Sequence, residues 1–127
     1  MAVYNSPLQD NEHALHALET AFEMSSLIEK LNKRIGKSLK LGIGVNSGEA
    51  VVGSIGSTQR MDYTAIGDTV NTASRLSGIA SGGQIIIGEK TFELVKNKVI
   101  AKKLVPVKLK GKQKPFQAYL AKELKAG

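Results

Sequence analysis

The segment from Gly42 to Leu76 limits the possible folds most, because it places two strand patterns and a helix pattern next to one another. Leu39 to Val45 alternates apolar residues with other residues at a period of two, which is typical of a strand. A second strand is expected from Glu49 to Ile55. The intervening Asn46-Ser47-Gly48 has the composition of a tight turn, so the pattern predicts a hairpin of these two strands.

Two longer segments have helical periodicity. From Asn11 to Ile35, apolar residues recur at three- and four-residue spacings, and Gly36 after a basic last turn is a typical helix end. Asp68 to Ile79 has the same periodicity. Further along we expect strands at 61–66, 84–87, 99–109 and 116–120 and a helix at 89–97. The mixture predicts an α+β fold in which an antiparallel-rich sheet is covered by helices on one face.

The composition fits one globular domain. The chain has 127 residues, of which 42% are apolar and 23% are charged, which is enough for one modest core. It has no cysteine, so disulfides and thiolate zinc sites are excluded. The sequence has no apolar run long enough to span a bilayer, and Met1 to Pro7 does not resemble a secretory signal. We therefore expect a cytoplasmic location and no membrane segment.

The net charge of +7 could attract a nucleic acid through its phosphates. Much of the excess lies in Lys30 to Lys40 and Lys102 to Lys114, where basic residues are interleaved with apolar ones. Only three Tyr and three Phe are available to stack on bases. A solvated basic face is therefore the simpler interpretation, and no nucleic-acid partner is expected.

Asn71 and Arg75 are the residues in this segment that are most suited to chemistry. They lie four residues apart on the expected helix, so their side chains share one face. A guanidinium can hold phosphate oxygens by paired hydrogen bonds, and an amide can orient a ribose hydroxyl beside it. Spacing alone also fits an ordinary solvated helix face, so it leaves both interpretations open.

The complete string is more specific than this pair. A Gly-Ile-Gly strand, a Gly-Glu-Ala-Val-Val-Gly strand, Asp-Tyr-Thr, and Gly-Asp-Thr-Val-Asn-Thr-Ala-Ser-Arg-Leu follow one another between Gly42 and Leu76. This order closely resembles the signature of the class III adenylate and guanylate cyclases, and the resemblance runs from residue 1 to about residue 120. It implies a ferredoxin-like α+β catalytic domain that forms a cyclic nucleotide and pyrophosphate.

The resemblance also implies a role for four residues. Asn71 matches the asparagine that orients the ribose, and Arg75 matches the arginine that stabilises the transition state. Thr64 matches the position that contacts the purine, where threonine favours ATP over GTP as the substrate. Lys110, in Leu-Lys-Gly-Lys, matches the lysine that contacts the terminal phosphates. Family members work as dimers, so a homodimer or larger assembly through the catalytic-domain interface is expected.

One part of the family's site has no counterpart in this sequence. Members hold two metal ions, Mg or Mn, with two aspartates that precede the matched motif, and we assign no metal ligand here. Asp62, Asp68 and Glu49 do not match those positions. We therefore expect residues 1–127 to be a single partial catalytic domain without its N-terminal strand and helices, with a flexible tail from about residue 121.

Three functions of different classes follow from these observations. The first is part of an adenylate cyclase whose isolated 127 residues bind no metal and are inactive. The second is a non-catalytic nucleotide-binding or dimerisation module of a signalling protein. The third, a basic nucleic-acid binder, has the least support. A sheet edge and an apolar helix surface left without cover would favour association in either of the first two.

Overall fold

The computed structural model describes residues 1–57 and 59–126, without the side chains at positions 55, 57 and 60–63. Within these ranges the elements follow one another as α1 (His13–Ile35), β1 (Ile43–Val45), β2 (Val51–Ser57), β3 (Arg60–Ile66), α2 (Asp68–Ile79), β4 (Ile85–Gly88), α3 (Glu89–Val95), β5 (Val99–Lys103) and β6 (Ala118–Leu124). The expected α+β class is confirmed. Among the described residues, no helix is long and apolar enough to cross a bilayer.

The strands form one mixed sheet and one separate hairpin. The sheet has the order β1-β4-β6-β5, with β1 parallel to β4 and the other neighbours antiparallel. The hairpin consists of β2 and β3, paired from Val51–Ile66 to Ser57–Arg60. The predicted hairpin of β1 with β2 is therefore wrong, because β1 pairs with a strand that lies about 40 residues further along the chain.

The connection between β1 and β2 explains this error. Its polar residues do not close a turn between two paired strands but bond to the helices on either side. The Asn46 side-chain amide donates to the carbonyl of Thr69 at 3.1 Å, and the hydroxyls of Ser47 and Thr91 are 2.8 Å apart. Asn46-Ser47-Gly48 therefore looks like turn chemistry in sequence but holds α2 and α3 beside the sheet.

Helices cover both faces of the sheet, so the expectation of one covered face is also wrong. Ile85 and Ile87 of β4 pack in a core cluster with Leu18 of α1, whereas Ile86 packs with Leu76 of α2 in a second cluster. Successive side chains of a strand point to opposite faces. A strand with three consecutive buried isoleucines therefore requires cover on both faces of the sheet. Helices α1 and α3 cover one face, and α2 covers the other.

Two glycines let α2 lie directly on β1. A Cβ placed on Gly44 would collide with backbone atoms of Ala73 and Ser77, and one on Gly42 would lie 2.7 Å from the carbonyl oxygen of Ala80. No larger residue fits at either position unless the helix moves away from the strand. This close backbone approach fixes the position of the helix that carries Asn71.

The element boundaries differ in accuracy. Helix α1 ends at Ile35, before Gly36 in the left-handed conformation (φ 65°), as the sequence predicts. The predicted bounds of α2 are also confirmed. The last strand was placed wrongly, because β6 runs from Ala118 to Leu124 and does not end at Leu120. Ala121 is buried and pairs with strands on both sides, so the strand continues where a tail was expected.

Candidate functional site

Helix α2 positions Asn71 and Arg75 relative to the sheet. The helix begins after Gly67, and its Thr72 and Leu76 are buried, at 1% and 0% exposure. Asn71 and Arg75 each precede one of these buried residues, so they lie on the neighbouring face of the helix. Asn71 is exposed and Arg75 is half-buried. The packed side of α2 therefore orients two polar side chains one turn apart toward the edge of the core.

The C-terminal turn (Leu109–Lys112) meets this face of α2. Leu109 is buried in the same cluster as Leu76, which fixes the start of the turn on the helix. Gly111 has a φ of 85°, and a Cβ placed on it would lie 3.2 Å from Nη2 and 3.3 Å from Nη1 of Arg75. The guanidinium of Arg75 therefore lies directly against the backbone of the turn that carries Lys110.

An ion pair closes the far end of the turn. Nζ of Lys112 lies 2.7 Å from Oδ2 of Asp68, the first residue of α2. In contrast, within residues 1–57 and 59–126 the side chains of Asn71, Arg75 and Lys110 make no hydrogen bond or ion pair. Asn71 and Arg75, one helical turn apart, thus lie on the helix that the turn of Lys110 meets at Gly111. Two cations and an amide without side-chain partners among the described residues can together bind an anionic ligand with several oxygens.

Thr64 lies on a different element from the other three candidate residues. It belongs to β3, is half-buried, and pairs across the hairpin with Gly53. It lines an open hollow of about 270 Å³ together with Val52 and with residues of the N-terminal segment, Met1, Val3, Ser6 and Pro7. Asn71, Arg75 and Lys110 do not line this hollow. The structure therefore brings Arg75 and the turn of Lys110 together, whereas Thr64 lines a hollow that these residues do not line.

The described residues do not fit a Mg or Mn ion. Across 1–57 and 59–126, no three or more His, Asp or Glu side chains form a group that could hold a metal. Asp68 is engaged with Lys112, and Glu49 is exposed. The side chain of Asp62 lies outside the described residues.

Sequence reasoning missed two of the groups that shape this site. Neither the contact of Gly111 with Arg75 nor the pairing of Lys112 with Asp68 was predicted. The second lysine of Leu-Lys-Gly-Lys was a visible signal. Nothing in the spacing, however, connects it with a residue 44 positions earlier in the chain.

Comparison with known proteins identifies the family of this chain. The sequence profile of the adenylate and guanylate cyclase catalytic domain matches residues 1–122. Adenylate cyclase 1 of Rhizobium meliloti is 34% identical over 124 residues, which cover 93% of this chain and 19% of that protein.

Solved structures agree with the sequence matches. The adenylyl cyclase CyaB from P. aeruginosa superposes with a TM-score of 0.91 at 30% identity, over 94% of this chain and 65% of that chain. The guanylate cyclase domain of RhGC from Catenaria anguillulae, solved in complex with GTP, gives a TM-score of 0.87 at 28% identity, over 96% of this chain and 66% of that chain.

The present chain therefore spans a small part of the curated relative and about two thirds of each solved chain. The predicted cyclase-type, ferredoxin-like fold is confirmed by these superpositions. Because the family profile covers nearly all of the sequence and the fold agrees with it, the chain belongs to the adenylate and guanylate cyclase catalytic domain family.

Proposed function

We propose that these residues form part of a nucleotide cyclase that converts ATP to cyclic AMP and pyrophosphate, and that they supply its contacts with the purine, ribose and phosphates. The observation that carries the proposal is the contact between the guanidinium of Arg75 and Gly111, next to the exposed Lys110. It supports a site in which Arg75 and Lys110, cations from distant parts of the chain, act together with Asn71. A nucleoside triphosphate has the charge and the length to bind Asn71, Arg75 and Lys110 at once.

In the proposed reaction, the 3′ oxygen of the ribose attacks the α-phosphorus and loses its proton to solvent. The new oxygen–phosphorus bond forms as the bond to the leaving pyrophosphate breaks. Catalysis of this kind depends on positioning and on stabilising charge on phosphate oxygens. Asn71 orients the ribose, Arg75 stabilises the charge that develops on the α-phosphate, and Lys110 stabilises the departing pyrophosphate.

Thr64 is proposed to contact the purine and to favour ATP. Its half-buried position beside apolar groups of the hollow suits a flat base, and its hydroxyl can accept a hydrogen bond from the adenine amino group. The chain is similar to both adenylate and guanylate cyclases, so the preference rests on this residue. The preference for ATP over GTP can be measured by competition of the two nucleotides for binding, in the parent chain and in Thr64→Val.

We further propose that the isolated 127 residues do not turn over ATP. The described residues offer no metal-ligand set, whereas the chemistry that the family resemblance implies uses Mg or Mn. Assembly into a homodimer or larger species is proposed because α1 exposes an apolar stripe of Met24, Leu27, Leu31 and Ile35. A cytoplasmic location remains our proposal on the basis of the cysteine-free sequence.

Two assays test the proposal. Incubated with Mn-ATP, the purified chain should form no cyclic AMP above a protein-free blank. In a protein that contains this domain and is an active cyclase, Arg75→Ala and Asn71→Ala should each lower kcat by about 10²-fold or more. Ser74→Ala, an exposed position on the same helix, is the matched control and should retain the parent rate. Unchanged kcat in both variants would refute the assigned roles.

A second candidate, a non-catalytic nucleotide-binding or dimerisation module, is favoured by the lack of a metal-ligand group among the described residues. It predicts nucleotide binding without turnover even when a partner domain supplies the metal carboxylates. Cyclic AMP formation in such a mixture, abolished by Arg75→Ala, would exclude it.

A further inference from the structure

The C-terminal turn is fixed to α2 by three contacts of different physical kinds. Leu109 is buried in one core cluster with Leu76, Gly111 lies against the guanidinium of Arg75, and Lys112 pairs with Asp68. The backbone N–H of Lys112 also donates to the carbonyl of Leu109 at 3.1 Å, which closes the turn on itself. Lys110, in the middle of the turn, is exposed and makes none of these contacts.

The two lysines of the turn therefore have different environments. The side chain of Lys112 is 22% exposed, and its Nζ lies 5.7 Å from the centre of the Phe116 ring in addition to its ion pair. Asp68 is 75% exposed at the N-terminus of α2, where the helix dipole favours a negative charge. Lys112 is thus held between the helix and the aromatic ring, whereas Lys110 is free to meet a ligand.

We propose that Lys112 is a positioning residue of the nucleotide site. Its ion pair with Asp68 holds the C-terminal turn on α2, so that the ammonium of Lys110 and the guanidinium of Arg75 bind the same polyphosphate. The inference rests on the proposed function, because it assigns Lys112 and Asp68 to the support of that site.

A substitution of Asp68 can distinguish a positioning role of the ion pair from a purely electrostatic effect of its charges. Its carboxylate is a negative charge near the proposed polyphosphate, so removing it should tighten anion binding if only charge mattered. If the ion pair positions the turn, the same change should weaken binding. The two interpretations therefore predict opposite signs for Asp68→Asn, which keeps the size of the side chain.

The experiment measures binding of inorganic tripolyphosphate to the 127-residue chain at low ionic strength, by titration followed in proton–nitrogen NMR spectra. Direct contacts are tested with Arg75→Ala and Lys110→Met, each expected to raise Kd about tenfold. Asp68→Asn and Lys112→Met should raise Kd about two- to fivefold, as expected for a partly exposed ion pair. Lys112→Arg keeps the pair and should stay within about twofold of the parent chain. Thermal melting confirms that each variant is folded.

The outcomes separate the two proposals. If Arg75→Ala and Lys110→Met weaken binding while Asp68→Asn leaves it unchanged or tightens it, the positioning role is overturned and the nucleotide contacts stand. If neither Arg75→Ala nor Lys110→Met weakens binding, both the contacts and the positioning role are overturned. Weakening by Asp68→Asn together with retention by Lys112→Arg supports the inference.

Discussion

The region of α2 and the C-terminal turn differs sharply from the β2–β3 hairpin. In the first, Leu76 and Leu109 are 0% and 3% exposed, and backbone packs on backbone at Gly44. In the second, Val51 and Ile66 lie opposite each other and are 66% and 51% exposed. The proposed phosphate contacts therefore lie on a closely packed helix, whereas Thr64 lies on a hairpin that exposes two large apolar side chains, Val51 and Ile66.

This contrast implies that phosphate binding by Arg75 and purine recognition by Thr64 depend on different structural support. A catalytic group must be held to within a fraction of an ångström, which the packing of α2 on β1 and β4 can provide. The exposed apolar pair on the hairpin is suited to burial against another protein surface. We therefore expect purine recognition by Thr64 to depend on assembly more than phosphate binding by Arg75 does.

The largest predicted effect compares the two regions by truncating one apolar side chain in each. Leu76→Ala should lower the free energy of unfolding by about 3 kcal/mol, because it leaves a cavity in a fully buried cluster. Ile66→Ala on the exposed hairpin should cost less than about 1 kcal/mol. Urea unfolding followed by circular dichroism measures both, and equal losses would remove the basis for treating the regions as different.

A smaller effect is expected from adding one methyl group to a glycine in each region. Gly44→Ala forces a Cβ onto the backbone of α2 and should cost about 2 kcal/mol. At Gly53, on β2 opposite Thr64, a Cβ would meet none of the described atoms within 4 Å, so Gly53→Ala should be close to neutral. The same unfolding assay applies. A neutral Gly44→Ala would contradict the close packing of α2 on β1.

The contact between the turn and Arg75 can be tested by comparing two glycines at which alanine causes the same loss of backbone stability. Gly111 and Gly83 have similar positive φ values of 85° and 88°, so Ala at either should cost about 1 kcal/mol of stability. Only at Gly111 does the new Cβ approach the guanidinium of Arg75, whereas at Gly83 nothing lies within 4 Å. Gly111→Ala should therefore weaken tripolyphosphate binding, and Gly83→Ala should not. Equal affinities would show that the contact does not position Arg75.

The smallest effect concerns the N-terminal segment, part of which lines the hollow of Thr64. Nδ1 of His16 lies 2.6 Å from Oδ2 of Asp10, and this hydrogen bond raises the pKa of His16 above 6.5 and lowers the pKa of Asp10 below 3.8. The histidine contribution to stability is full below pH 6.5 and is lost as the pH rises through the raised pKa. The aspartate contribution is full above pH 3.8 and is lost as the pH falls through the lowered pKa.

The pair should therefore stabilise the fold most between about pH 4 and pH 6.5. His16→Gln should lower the free energy of unfolding in this window and less at pH 8, because the histidine loses its proton as the pH rises. The effect should be small, because the His16 side chain is exposed and that of Asp10 is only half-buried. Unfolding curves of the variant and the parent chain at pH 5.5 and pH 8 measure the difference. A stability difference between variant and parent that is the same at both pH values would contradict the stabilising role of the His16–Asp10 pair.

The sequence predicted local features well and distant pairings poorly. The bounds of α2 and the helix end at Gly36 depend on neighbouring residues, and both are confirmed. Two pairings were not predicted because they join residues more than 40 positions apart: strand β1 with β4, and Asp68 with Lys112. The cover on both faces of the sheet follows from Ile86, whose burial on the second face is decided by the position of α2.

The candidate residues were found by family resemblance, and the structure adds their relative placement. Spacing predicted that Asn71 and Arg75 share a helix face, which the bounds of α2 confirm. Spacing could not predict that Gly111 would lie against Arg75, because the turn reaches the helix through the core cluster that buries Leu109 with Leu76. The roles of Thr64, Asn71, Arg75 and Lys110 in nucleotide binding stay predictions.

One titration tests the central claim most directly. Adding ATP to the nitrogen-labelled chain should shift the Nε–H signal of Arg75, the side-chain amide of Asn71 and the backbone amide of Gly111 at similar nucleotide concentrations. Saturation of these signals with one shared dissociation constant would support a common phosphate and ribose site on α2 and the C-terminal turn. Shifts confined to other surfaces, with the Arg75 and Gly111 signals unmoved at saturation, would contradict it.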